Sequence, residues 1–320
     1  MRRYLKILSV GGLLAIIVLL IMALTHLQAI EDWQKLRGYN PPAAITELAD
    51  QDTMTAYTRH VFYVNHPQIV SGVANFRKDC PESEQTIVLG CYRSGQNGIF
   101  IYNVPNSQLY GIAQVTAAHE VLHAAYARLS SKDKAYVDGL LQDYYKHDLT
   151  DQRILGEIKL YKQTEPNNVV DEMHSVFGTE ADNLPKPLEN YYKRYFSNRS
   201  VIVNFSQNYQ SEFASRINRV KADDQKLAAM KAQIDALEQS LNSQLTVIQS
   251  QRAQVQSSND PGQINRYNAE VTAYNNGVAD LQSQISTYNQ LVDERNAIAA
   301  DIASLQNSID TRLQPKAKAQ

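Results

Sequence analysis

Two apolar seams in the C-terminal third leave the chain little choice of fold there. Leu227, Met230, Ile234, Leu237 and Leu241 alternate steps of three and four, and Leu245 and Ile248 follow after one irregular step. A second series starts at Ile264, Tyr267, Val271, Tyr274 and Val278 and runs on to Ile309. Such spacing places one narrow apolar stripe on a helix. Asn259-Asp260-Pro261-Gly262 separates the two series, and proline cannot continue a helix from its interior. Two arms of about 50 residues, each about 75 Å long, around one break predict an antiparallel helical (coiled-coil) hairpin over 207–313 rather than a kinked parallel dimer. Residues 314–320 read as a disordered tail. The hairpin carries no paired histidines, phosphate loop or basic stripe, so its expected roles are spacing, partner binding, self-association along the seam or control of access to a site elsewhere.

The N-terminus is equally distinctive. A basic stub, Met1-Arg2-Arg3-Tyr4-Leu5-Lys6, precedes Ile7–Leu24, which carries no charge. As a helix that run is about 27 Å long, close to the hydrocarbon thickness of a bilayer. Basic residues before it and Glu31-Asp32 after it orient the N-terminus inside and the rest outside. A cleaved signal peptide would have a shorter apolar region and a small-residue cleavage site, and Leu27-Gln28-Ala29 is a poor one. An uncleaved single-pass anchor over 1–28 is therefore expected, with 29–50 as a juxtamembrane linker turning at Asn40-Pro41-Pro42.

Chain length and a 43% hydrophobic content allow one core besides these segments. A net charge of -2 gives no reason to expect a nucleic-acid partner. Cys80 and Cys91 fall in the part placed outside the cell, where a disulfide is expected, and the absence of Cys-x-x-Cys argues against a thiolate metal site. A helix is predicted over 53–63, with His60 and His66 as surface or cap residues. Strands are predicted at 85–91 and 98–103, joined by the turn Ser94–Gly98, to make a hairpin.

That hairpin leads into Thr116-Ala-Ala-His119-Glu120-Val-Leu-His123-Ala-Ala-Tyr126. At about 100° per residue, His119 and His123 stand about 40° apart on one helix face, so both imidazoles can reach a single metal ion. Glu120 beside them is placed to polarise a metal-bound water rather than to ligate. A solvated amphipathic helix could carry the same three residues. The small and apolar flanks instead imply burial, and buried His and Glu require partners. Two further helices, 132–147 and 152–162, separate this motif from Asn167–Glu180, a stretch dense in ligand-type side chains that starts after Pro166 and ends near Gly178.

His-Glu-x-x-His followed by a glutamate on a later helix resembles the gluzincin class of zinc metallopeptidases, over roughly residues 85–200. In that class a small residue stands three positions after the third ligand and an aspartate that orients the first histidine stands four after it. Glu172 and Ser175 match, whereas Val176 stands at the aspartate's position. The metzincin pattern is absent, because Tyr126 and Leu129 occupy its glycine and histidine positions. The resemblance implies Zn²⁺ held by His119, His123 and Glu172, with Glu120 as general base; Glu180 and His174 are the alternative third ligands, although His174 lies about 200° round the helix from Glu172. Tyr192, Tyr195 and Arg199 are candidate donors to a tetrahedral oxyanion, each also readable as core packing. An extended peptide substrate would pair with a sheet edge, for which Ile99–Asn103 is the candidate.

The expectation is an α+β chain: an N-terminal transmembrane helix, a mainly helical zincin-like domain with a small β-hairpin or sheet over 51–206, and the long helical hairpin. Its expected function is a membrane-anchored zinc endopeptidase acting on peptide or protein substrates outside the cytoplasm. The competing expectation is an inert cell-envelope scaffold with a structural metal site and a coiled-coil partner arm. An open coordination position beside a groove favours the enzyme.

Overall fold

The computed structural model describes residues 27–81, 87–94 and 98–312. The apolar run Ile7–Leu24, the tip of the predicted strand turn and the tail 314–320 lie outside the described residues. No helix among the described residues is long and apolar enough to cross a membrane. The described chain is mostly helical, with one small sheet and one long helix pair.

Eleven helices and three strands are described. In chain order they are α1 (Leu27–Leu36), α2 (Ala43–Gln51), α3 (Ala56–Val64), β1 (Gln68–Val70), α4 (Val73–Asp79), β2 (Gly90–Arg93) and β3 (Gly98–Tyr102). A short 3₁₀ turn at Ser107–Leu109 precedes α5 (Ile112–Ala127), α6 (Ser131–His147), α7 (Gln152–Thr164), α8 (Val169–Thr179) and α9 (Lys186–Tyr192). The long helices α10 (Arg199–Gln256) and α11 (Pro261–Ile309) complete the chain. Two compact units result: residues 27–209 with 309–312, and Gln210–Ser308. The first unit thus runs three residues past the expected boundary at 206 and regains the chain at Ile309, the last residue of α11.

Helix α5 is the axis of the first unit. Ala117, Ala118, Val121, Leu122, Ala124 and Ala125 are all fully buried, so side chains pack around it on all sides but the one that carries His119 and His123. Its start is set by Gly111 at φ 106°, where a Cβ would lie 2.8 Å from the Phe205 carbonyl. Its broadest packing is against α8. Gly178 makes this approach close: a Cβ there would come within 2.5 Å of Leu122 and 2.7 Å of Tyr192. Helix α8 ends at Thr179, one residue past the expected Gly178, which serves there as a packing residue, and Glu180 caps the end. The flanking helices begin at side-chain caps, Ser130 accepting from the Asp133 amide and Asp151 from those of Arg153 and Ile154.

The stretch 29–50 is not a linker. It folds into α1 and α2, and Ile45, Leu48 and Ala49 enter the core that packs around α5. Asp32 of α1 is 6% exposed and receives both Arg128 amino groups at 2.7 and 2.9 Å, with His60 Nε2 at 2.9 Å. His66 Nε2 lies 2.8 Å from the Lys35 carbonyl, and its ring stacks on Tyr39.

The sheet has the order β1-β3-β2, with β1 parallel and β2 antiparallel to β3. The first hairpin strand starts later than expected, at Gly90, because Ile87–Leu89 run along a cavity wall instead of pairing along their length. Strand β3 is buried throughout and central, which corrects the assignment of Ile99–Asn103 as a free edge. A disulfide joins Cys80, at the end of α4, to Cys91 on β2.

In the second unit, each step forward along α10 is matched by a step backward along α11. Arg216 pairs with Asp301 at 2.5 Å and Asp224 with Arg295 at 2.8 Å, and Gly277 lies so close to Leu241 that a Cβ would approach its Cδ2 to 2.7 Å. The two helices are therefore antiparallel. Ile234, Leu241 and Ile248 of the first seam are buried, whereas Ile285 of the second is 36% exposed.

Candidate metal centre

Helical spacing on α5 and the closeness of α8 build one cluster. His119 Nε2 and His123 Nε2 lie 3.0 Å apart, and the Glu172 carboxylate reaches them at 3.6 Å through Oε2 and 3.6 Å through Oε1. Two imidazole nitrogens at this distance beside a buried carboxylate form a group that could hold a cation between them. Tetrahedral zinc with ligands about 2.0–2.1 Å away spaces its ligand atoms about 3.3 Å apart, close to the triangle observed. Glu172 Oε2 is buried and has no hydrogen-bond partner among the described residues, as a ligand atom awaiting an ion would be. The donor set and its dimensions therefore could hold a metal ion.

Asp171 accounts for the orientation of the second histidine. Its Oδ1 lies 2.9 Å from His123 Nδ1, which turns Nε2 toward the cluster. The carboxylate that the resemblance places at position 176, aimed at the first histidine, is thus replaced by one at position 171 aimed at the second. No pattern in the sequence marked it, since its role depends on how α8 faces α5.

The electrostatics follow from burial and neighbours. Burial opposes a charge on His123, but Glu172 and the Asp171 hydrogen bond outweigh it and raise the imidazole to about 10. Burial likewise opposes a charge on His119, and Glu172 raises it. Glu172 itself would be raised by burial, yet the two imidazoles hold it below the usual carboxylate range.

The cluster opens on a cavity of about 590 Å³. Glu120 faces into it beside the two histidines and is 6% exposed. Strand β2 forms part of the wall, and Gly90 lets its backbone press on α5: a Cβ there would lie 2.5 Å from Thr116 and 2.7 Å from Glu120 Oε1. Of the two edges of the sheet, β2 is the one that borders the cavity, through Gly90, Cys91 and Tyr92.

The other sequence candidates fall elsewhere. His174 is fully buried on the far side of α8, with Nε2 2.9 Å from the Tyr191 hydroxyl and Tyr126, Tyr192 and Tyr195 around its ring. Glu180 lines the cavity but is engaged by Arg153 at 2.8 Å and accepts from Ser206, so it stands apart from the cluster. Tyr192 donates to the His174 carbonyl, and the Tyr195 hydroxyl pairs with that of Tyr191. Arg199 binds Glu189 and the carbonyls of Phe177, Ala181 and Asp182, which holds the end of α8. None of these three lines the cavity, so their assignment as oxyanion donors is corrected. Tyr161, on the last turn of α7, lines it and faces Glu172; burial and the surrounding carboxylates raise its phenol, which stays protonated.

No family model, curated protein or solved structure matches the chain. Geometry and chemistry of the site therefore carry the functional argument.

Proposed function

We propose that this chain is a membrane-anchored, zinc-dependent endopeptidase whose site lies outside the cytoplasm. The observation that carries the reading is the convergence of His119, His123 and Glu172 beside an open cavity that Glu120 also faces. A three-ligand set beside open space is what a catalytic zinc requires, whereas a structural zinc is closed by four protein ligands, so the scaffold reading is disfavoured. Zinc bound there supplies a Lewis acid that polarises a carbonyl and acidifies water. Glu120 takes the proton of the attacking water and delivers it to the departing amine, and Asp171 keeps His123 in the ligating orientation. The edge of β2 pairs with an extended peptide, and the Tyr161 hydroxyl is the cavity's donor for a developing oxyanion. Ile7–Leu24 anchors the chain, and the Cys80–Cys91 disulfide accords with an oxidising compartment. The helical hairpin serves as a coiled-coil arm for a partner or for spacing.

The test is metal analysis of the purified protein with peptide-library cleavage, for the parent and for Glu120→Gln. The variant should keep its zinc while hydrolysis falls by about 10²–10⁴-fold. Loss of the metal in that variant would mean Glu120 is a ligand, and a zinc-loaded parent that cleaves nothing would return the chain to the scaffold class.

A further inference from the structure

Helix α1 is held to the first unit by one side and bare on the other. Asp32 points inward to Arg128 and His60, whereas Leu27, Ile30 and Trp33 are 49%, 42% and 62% exposed. Steps of three residues spread these side chains over an arc of about 120°, and Asp32 lies about 160° from Ile30 at its centre. Arg37 emerges on the same side, its guanidinium 5.6 Å from the centre of the Trp33 ring. The arc also takes in Gln34, and exposed Glu31 borders it beyond Leu27. A leucine, isoleucine and tryptophan face with an arginine beside it is the composition of a helix at a membrane interface, where the indole sits at headgroup depth and the cation reaches lipid phosphates.

What covers this face is indicated by the chain before it. The uncharged run ends at Leu24, three residues before Leu27. Three residues span at most about 11 Å, and the headgroup layer is about 5–8 Å thick, so α1 starts within or directly above that layer if the run spans the bilayer. We infer that the Leu27–Ile30–Trp33 face of α1 rests in the headgroup layer of the same membrane that holds Ile7–Leu24. This rests on the anchor in the proposed function. Its consequence is positional: Asp32 grips Arg128, the C-terminal cap of the helix that carries His119 and His123, so the metal centre is set at a fixed height above the bilayer.

Trp33 is the only tryptophan in the chain, which gives a direct readout. The full-length protein is reconstituted into phosphatidylcholine–phosphatidylglycerol vesicles, with or without bromine on the upper acyl chain, and separated by flotation. The expected result is blue-shifted Trp33 emission, at least halved by the brominated lipid. The double variant Leu27→Gln, Ile30→Gln should float equally well but lose most of that quenching. Protein that floats with water-like, unquenched emission would overturn the inference and leave the anchor standing, whereas protein that does not float would overturn both. Emission that shifts with protein concentration and ignores bromine would assign the face to a second copy of the chain and likewise overturn the inference.

Discussion

His123, part-buried at 13% side-chain exposure, and His174, fully buried, both stand at the α5–α8 contact, yet their surroundings push them in opposite directions. His123 stands among Glu172, Asp171 and Glu120 and is raised to about 10. His174 stands among tyrosines and is lowered to about 3, by burial first and then by repulsion from His123 and His119. Burial makes both imidazoles costly to charge, and only the carboxylates around His123 reverse that. Where negative charge is gathered around buried nitrogens, a cation is called for; where phenols surround the ring, it serves as packing. One face of α8 is therefore chemistry and the other is core.

The sharpest way to break this contrast is to remove the charge from one face and the ring from the other. Glu172→Ala should lower zinc affinity by more than about 100-fold, since a single-residue change deletes one of the three proposed ligands. His174→Phe keeps an aromatic ring beside Tyr126 and Tyr192 and loses only the Tyr191 hydrogen bond, so zinc content should hold while stability falls by about 1–3 kcal/mol. Chelator competition and thermal unfolding read the two effects separately. Zinc loss in the His174 variant at retained fold would move the third ligand to His174.

Asp171→Asn probes a smaller share of the same face. The amide preserves the shape but withdraws the charge that holds His123 Nδ1–H, so zinc affinity should fall about 10–100-fold with the fold intact. Unchanged affinity would make the Asp171 contact a surface pairing rather than part of the centre.

The legible and illegible parts of the molecule divide by range. His119, Glu120 and His123 were readable because a helix fixes their relation within five residues. The seams were readable because their period repeats over long arms, and Arg216–Asp301 and Asp224–Arg295 pair in antiparallel order. Asp171 was missed, and Tyr192, Tyr195 and Arg199 were misplaced, because which way a side chain faces depends on the crossing of α8 with α5 and α9. The stretch 29–50 was misread because Pro41-Pro42 drew attention to a turn, although Ile45, Leu48 and Ala49 already had helical spacing. The outer edge of the sheet was misread because β1, a three-residue strand, leaves no alternation to detect and yet makes β3 central.

Asp52 extends the comparison to a buried carboxyl with no partner of either kind. It is fully buried after α2, and neither carboxyl oxygen has a hydrogen-bond partner among the described residues. Glu172, buried beside two imidazoles, is held low; Asp52, buried with nothing to compensate, is pushed well above the usual carboxylate range. The unfolded chain gives up this proton near the ordinary aspartate value, about 3.9, while the folded chain retains it. Stability from this group is therefore fully present below about pH 3.9 and is lost as pH rises toward the folded-state value. Asp52→Asn removes the titration and keeps the shape, so the variant should be the more stable at pH 8, by on the order of 1–3 kcal/mol, with the gap narrowing toward pH 4. Denaturant titrations of both proteins at pH 4, 6 and 8 measure this, with zinc content followed in parallel because Asp52 is no part of the metal centre. A gap that stays constant with pH would show that Asp52 is ionised in the folded chain, and the contrast with Glu172 would then be one of degree only.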